Sequence, residues 1–282
     1  MTLVFSQPSA DLFVPDGADP AAALARTTHL AIGAHADDLE LMAAHGVMEC
    51  FRNPARWFSG VVVTDGAGSP RDNLYAGCSD AELVEIRRRE QRKAAYVGEY
   101  SAVLQLAHPS RAVKQAAPEV LGDLCQVLAA CEPQVLYTHN LADKHDTHVA
   151  VALRVVQACR SLPERHWPAR LIGCEVWRDL DWLCDADKLP MPVDGHENLH
   201  AALMGVFDSQ ISGGKRYDLA SLGRRRAHAT YFDAHDSDRH SALIWGMDLT
   251  PLLHGADPTR LVRDYIERFE REVSERLARL AP

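Results

Sequence analysis

From about residue 28 the chain alternates short apolar runs with longer stretches of helical spacing. The runs are His29 to Ala34, Gly60 to Thr64, Ala102 to Ala107, Gln134 to Thr138 and Leu171 to Trp177. Each has the length of a strand, and several are rich in Val, Ile or Leu. Between them the periodicity predicts helices over Leu39 to Phe51, Ala81 to Val97, Pro118 to Ala130 and His148 to Arg160. Strands alternating with helices of this length build right-handed βαβ units. The expected fold class is therefore α/β, a Rossmann-like, mostly parallel sheet with helices on both faces and a mainly helical C-terminal extension.

Beyond residue 178 the alternation fails, and Pro190, Pro192 and Gly195 punctuate a loop before helical sequence. This part, about 179–282, is read as a lid or oligomerisation region on a core of about 28–178, the whole forming one domain. The last predicted helix, Pro258 to Leu280, lines up Val262, Ile266, Phe269, Val273, Leu277 and Leu280 in one apolar stripe. Packing of that stripe onto the parent core is the expectation, with a homo-oligomer contact as the alternative.

Composition narrows the class of function. The chain has 282 residues, 47% hydrophobic and 24% charged, as in an ordinary soluble globular protein. Its 39 acidic residues outnumber 30 basic ones, a formal charge of −9 that opposes a phosphate backbone, so nucleic acid is not an expected partner. Seven cysteines without a C-x-x-C pair read as reduced thiols. No basic start followed by an apolar run opens the chain, and no stretch approaches the ~20 apolar residues of a membrane span. The expectation is a cytoplasmic protein acting on a small molecule.

Ligands of open α/β sheets lie beyond the carboxyl ends of the strands. There the sequence puts His35, Asp37 and Asp38 after the first run, Asp65-Gly66-Ala67-Gly68 after the second, and His139-Asn140 leading to Asp143, His145 and His148 after the fourth. His35 and Asp38 are three apart at a strand-to-helix junction, and His145 and His148 are three apart at a helix start, so each pair can face one site. Two His and one Asp from two adjacent strands make a nitrogen/oxygen set that leaves a fourth position on Zn²⁺ open. Of the leftover groups, Asp37 can take a proton from zinc-bound water, and His145 can hydrogen-bond the oxyanion or protonate a leaving amine. Either pair alone carries little weight, because Asp caps helices as a matter of course. Their convergence on one crevice points to a metal site.

The stretch Ala31-Ile32-Gly33-Ala34-His35-Ala36-Asp37-Asp38-Leu39-Glu40-Leu41 resembles the A-H-P-D-D-x-E signature of the LmbE-like, or PIG-L, family of metal-dependent N-deacetylases. Thr138 to Val151 is similar to that family's second motif, N-x-x-D-x-H-P-D-H, while Thr64 to Gly68 and Glu85 to Ala95 resemble its glycine loop and R-x-x-E helix. The resemblance spans about residues 28 to 160. It implies zinc held by His35, Asp38 and His148, Asp37 as general base and His145 stabilising the tetrahedral intermediate. It also implies an N-acetylated amino sugar as the substrate class. Three departures matter. Ala36 stands for the usual Pro, Ala44 and His45 replace a glycine pair, and Asp146-Thr147 replaces Pro-Asp, leaving Asp146 or Asp143 to orient the active-site histidine, or His145 to act with a lower pKa.

Other motifs compete for attention. His196-Glu197-Asn198-Leu199-His200 matches H-E-x-x-H, the zincin peptidase signature, but it follows Pro-Val-Asp-Gly and lacks a nearby third ligand, so a solvated or pocket-lining helix start is expected. His228, His235 and His240 with Asp233, Asp236 and Asp238 read as a polar loop, and Arg224-Arg225-Arg226 as a solvated helix face or an anion contact. Asp65, Arg71, Asp143 and Asp146 are the candidate substrate contacts. The sequence thus points to a zinc-dependent hydrolase that removes an N-acyl group, acetyl by preference, from an amino-sugar-like molecule. A metal-holding binding protein of weak activity is the alternative, with the zincin reading behind it.

Overall fold

The structure is a computed structural model that describes residues 3–282. Its centre is an eight-stranded sheet in the order β1-β4-β3-β2-β5-β6-β8-β7. The strands are β1 Asp11–Phe13, β2 His29–Gly33, β3 Phe58–Thr64, β4 Ala102–His108, β5 Val135–His139, β6 Arg170–Cys174, β7 Leu189–Pro192 and β8 Leu243–Asp248. From β4 through β3, β2 and β5 to β6 every pairing is parallel, whereas β1, β8 and β7 join antiparallel. The central strands β2, β3 and β4 are buried along their whole length, which is why they read as continuous apolar runs.

Alternation along these strands feeds two cores. Leu30, Ile32, Val61, Val63, Leu104 and Leu106 face one side, and Ala31, Phe58, Val62 and Val103 face the other. Twelve helices lie among the described residues, in chain order. They are α1 Pro20–Ala25, α2 Asp38–Met42, α3 Ala44–Cys50, α4 Asp80–Val97, α5 Ser110–Lys114, α6 Pro118–Cys131, α7 Asp146–Ser161, α8 Glu197–Gly205, α9 Asp208–Ile211, α10 Tyr217–Tyr231, α11 Thr250–Leu253 and α12 Pro258–Leu280. Helices α6 and α7 cover the first core; α2, α3 and α8 cover the second.

Four expectations need correction. The helix expected over Leu39 to Phe51 is broken at Ala43, whose φ of −110° and ψ of 22° separate α2 from α3. The strand expected to Trp177 ends at Cys174, because Glu175 turns inward to accept the N–H groups of Leu180 and Trp245. The segment after residue 178 is more than a helical cap. It adds β7 and β8 to the sheet and sends Trp245, Leu249, Leu199 and Leu203 into the two cores. Finally, the α12 stripe does not pack onto the parent core. Tyr265 is the only residue of α12 that is buried, while Ile266, Phe269, Leu277 and Leu280 are 40–71% exposed.

The close approach that a glycine pair would serve falls at Gly46. A Cβ there would lie 2.7 Å from the Tyr137 ring of β5, whereas a Cβ at Gly122 in α6 would meet nothing within 4 Å. Gly46→Ala is therefore expected to destabilise by about 1–3 kcal/mol through overpacking, and Gly122→Ala to stabilise by about 0.5–1 kcal/mol through helix propensity. Urea melts of the two variants check the opposite signs. A second expectation concerns His29, buried at the start of β2, where desolvation and then the charge of His45 lower its pKa to about 4. The unfolded chain titrates near 6.5, so it takes up the proton first as pH falls. Stability is then lost between about pH 6.5 and about pH 4, by at most about 1.4 kcal/mol per pH unit. Melts across that window should be flatter for His29→Gln.

Candidate metal centre

Strand order places the site. The chain runs outward from β2 through β3 to β4 and then returns to the other side of β2 with β5, so β2 and β5 flank the point where the order reverses. The loops leaving these two strands carry His35 to Asp38 and His139 to His148. A cavity of about 340 Å³ opens there, lined by His35, Asp37, Asp38, His145 and His148 among others.

Asp38 begins α2, and one of its oxygens, Oδ2, accepts the N–H of His35 at 2.7 Å. The same oxygen lies 3.3 Å from His35 Nδ1 and 3.5 Å from His148 Nε2, and the two nitrogens are 3.2 Å apart. Donors about 2.0–2.1 Å from a tetrahedral ion stand about 3.3–3.4 Å from one another, so this triangle has the size a zinc ion requires. Burial alone would raise the Asp38 pKa, but His148 and His139 hold it well below the ordinary carboxylate range. Desolvation lowers His148 to about 4, which keeps its imidazole neutral, the form that binds metal.

His139 is a member of this cluster that sequence reading left without a role. It is fully buried, stacks on His148 with ring centroids 3.9 Å apart, and has Nε2 3.4 Å from Asp38 Oδ2. That nitrogen accepts the backbone N–H of Ala34 at 2.9 Å. One lone pair cannot serve both an N–H and a metal, so His139 is a wall of the site and His35 the better third donor. A signal was present in its position, the last residue of β5.

Asp37 takes a left-handed backbone conformation, φ 81° and ψ −24°, uncommon for a residue other than glycine. The peptide preceding it is held at both ends. Gln91 Oε1 accepts the Asp37 N–H at 3.3 Å, and Gln210 Nε2 donates to the Ala36 carbonyl at 2.9 Å. Gln91 is in turn tied to buried Glu40, which Tyr100 also contacts. Desolvation, then repulsion from Asp38, raises the Asp37 pKa well above the carboxylate range. His145, preceding α7, faces His35 edge-on with centroids 5.1 Å apart, and burial followed by the charge of His35 lowers its pKa.

The expected substrate contacts are placed elsewhere. Asp143 is buried; Oδ1 accepts the N–H of His145 and lies 3.6 Å from His148 Nδ1, while Oδ2 accepts the N–H of Trp177. It supports His148 from behind and does not face the cavity. Asp146 is exposed on the first turn of α7. Asp65 caps the N–H of Ala67 beside a separate small cavity, and Arg71 is engaged with Asp80 and the carbonyls of Cys78 and Ala67. The cavity is completed instead by Ser69, Trp177, Gln210, Lys215 and Tyr217, four of them from beyond residue 176.

The H-E-x-x-H segment forms no centre among the described residues. His200 donates from Nε2 to the Val193 carbonyl and accepts at Nδ1 from Arg225, and Glu197 pairs with Arg226 on the surface. His228 departs from the polar-loop expectation. It is buried in α10 against Glu175, with Nε2 3.0 Å from Oε1.

Residues 30–159 match the family model PIG-L, described as GlcNAc-PI de-N-acetylase. No curated protein sequence matches the chain. Among solved structures it is similar to the N,N'-diacetylchitobiose deacetylase of Pyrococcus horikoshii, at 14% identity and a TM-score of 0.63, covering 82% of this chain and 87% of that one. It is similar as well to a deacetylase of the teicoplanin biosynthesis pathway, at 16% identity and a TM-score of 0.57 over 78% of this chain and 97% of that one. A third similar structure is the 4-carboxy-2-hydroxymuconate hydratase of Pseudomonas putida, at 14% identity and a TM-score of 0.59 over 79% and 96%. At these identities the likeness is one of fold, and a hydratase among deacetylases shows that fold alone does not name the reaction. Both histidine motifs lie inside the segment, residues 30–159, that matches the PIG-L or LmbE-like family model.

Proposed function

We propose that this protein is a zinc-dependent hydrolase that removes an N-acyl group, acetyl by preference, from an amino-sugar-like small molecule. The observation that carries the reading is the triangle of His35 Nδ1, Asp38 Oδ2 and His148 Nε2 with the Asp37 carboxyl beside it in one cavity. His35, Asp38 and His148 would hold the ion. Bound there, zinc supplies Lewis acidity, polarising the acyl carbonyl and bringing the pKa of water toward about 7.

The remaining steps belong to the side chains. Asp37 takes the proton from the attacking water, and its raised pKa suits it to return that proton to the departing amine. His145, kept neutral, donates a hydrogen bond to the oxyanion of the tetrahedral intermediate. Gln91 and Gln210 fix the peptide from which the Asp37 side chain projects. The second reading, a metal-holding binding protein, is favoured by Thr147, which leaves the His145 ring without a carboxylate partner.

Metal content by elemental analysis and amine release from a panel of N-acetylated amino sugars test the reading together. His148→Ala is expected to lose the metal, and Asp37→Asn to keep it while turnover drops at least about 100-fold. Full turnover by metal-loaded Asp37→Asn would sink the mechanism, and metal with ligand binding but no amine release would favour the second reading. Gln210→Ala is expected to lower kcat about tenfold with KM and metal content unchanged, since it frees the Asp37 peptide without touching the ligands. A rise in KM alone would assign Gln210 to substrate binding.

A further inference from the structure

A second cavity, of about 270 Å³, adjoins the one over the metal centre, and the two share Leu41, Val176, Trp177, Lys215 and Tyr217 as common walls. Its remaining lining includes a concentration of charge that the proposed chemistry does not use. Arg216 is neutralised by Asp218, with contacts of 3.0 and 2.7 Å. Glu175 is saturated by His228 and by the N–H groups of Leu180 and Trp245. Arg225 is buried and spends its guanidinium on the carbonyls of Glu40 and Leu41 and on His200.

Two cations are left over. Lys215 has no carboxylate partner among the described residues and rests its Nζ 4.5 Å from the Trp177 ring centre. Arg224 donates from Nη1 to the Val176 carbonyl at 2.6 Å, and its Nε and Nη2 have no partner among the described residues. In a chain of formal charge −9, two cations without counter-charges facing one cavity mark a place where an anion is brought by the ligand. Their companions on the wall, Trp177, Tyr217, Val176 and Ile244, are aromatic or apolar, as in a site that buries the body of a small molecule and reads one polar group.

We propose that this second cavity is a subsite for an anionic group of the substrate, a carboxylate or a phosphate, bound by Lys215 and Arg224. The substrate is then an N-acylated amine that carries negative charge beyond its amide. The inference rests on the deacylase reading for what happens in the first cavity, and the subsite itself is testable without turnover.

Binding is measured by calorimetry on the metal-loaded Asp37→Asn protein with three probes: N-acetylglucosamine 1-phosphate, N-acetylmuramic acid and the neutral methyl N-acetylglucosaminide. At least one anionic probe is expected to bind about tenfold tighter than the neutral one, and which of them does so separates phosphate from carboxylate. Added salt should erode the preference. Lys215→Met and Arg224→Gln, each in the same background, should abolish it, and Arg224→Gln, at a residue that lines the second cavity alone, should bind the neutral probe as before. Lys215 is exposed, so its variant has no core packing to lose. Equal affinities for all three, no binding of any, or a preference that survives both substitutions would overturn the subsite. An intact preference with no amine release by the wild type would overturn the deacylase reading alone, whereas amine release from all three at equal KM would overturn the subsite alone.

Discussion

Asp38 Oδ2 lies within 3.5 Å of three imidazole nitrogens, those of His35, His139 and His148, and accepts a backbone N–H as well. A buried carboxylate is costly unless charge or hydrogen bonds meet it from several sides, so this one oxygen dictates how its neighbours are arranged. Parallel pairing of β2 with β5 brings the two histidine-bearing loops together. The left-handed turn at Asp37 then lets adjacent carboxylates diverge, Asp38 toward the imidazoles and Asp37 toward the cavity.

Much of this was legible because it is written in local pattern. The five central strands are apolar runs, and the groups that matter lie just past two of them, at offsets a helix start translates into a common direction. What escaped the sequence depends on contacts between distant segments. The strand β8 joins the sheet antiparallel between β6 and β7, outside the βαβ alternation, and β7 contains two prolines that only an edge position tolerates. His139 looked like the end of a strand until its Nε2 was seen to meet Ala34, 105 residues away. The α12 stripe shows the opposite limit. Its 3.6-residue periodicity predicts a helix correctly, but periodicity does not say whether the apolar side is covered, and here it is largely exposed.

The C-terminal segment illustrates why a family motif set leaves specificity unread. Residues 30–159 carry the candidate ligands, but Trp177, Gln210, Lys215 and Tyr217 form the opposite wall of the cavity. Gln210 reaches across to the Ala36 carbonyl, 174 residues earlier, and so ties that wall to the turn on which Asp37 depends. Ala36 lacks the fixed φ that a proline would impose on this turn, and two glutamine side chains restrain the next peptide in its place. Cavity-lining and turn-holding residues therefore meet in one short stretch, α9 to the start of α10. That link is one the histidine motifs do not show.

Under the proposed mechanism Thr147 shifts acid–base duty within the same site. It is buried with no charge to offer; Asp143 Oδ1 accepts the His145 N–H and lies 3.6 Å from His148 Nδ1, while His145 Nδ1 has no hydrogen-bond partner among the described residues. An imidazole without a carboxylate behind it, further lowered by burial, is a poor proton carrier and an adequate neutral hydrogen-bond donor. Under the proposed mechanism the proton taken from water must then be carried to the amine by the one other titratable group facing the cavity whose pKa is displaced in the useful direction. That group is Asp37, raised by burial and by its neighbour Asp38, so the same proximity that keeps Asp38 ionised among the imidazoles prepares Asp37 to hold and return a proton.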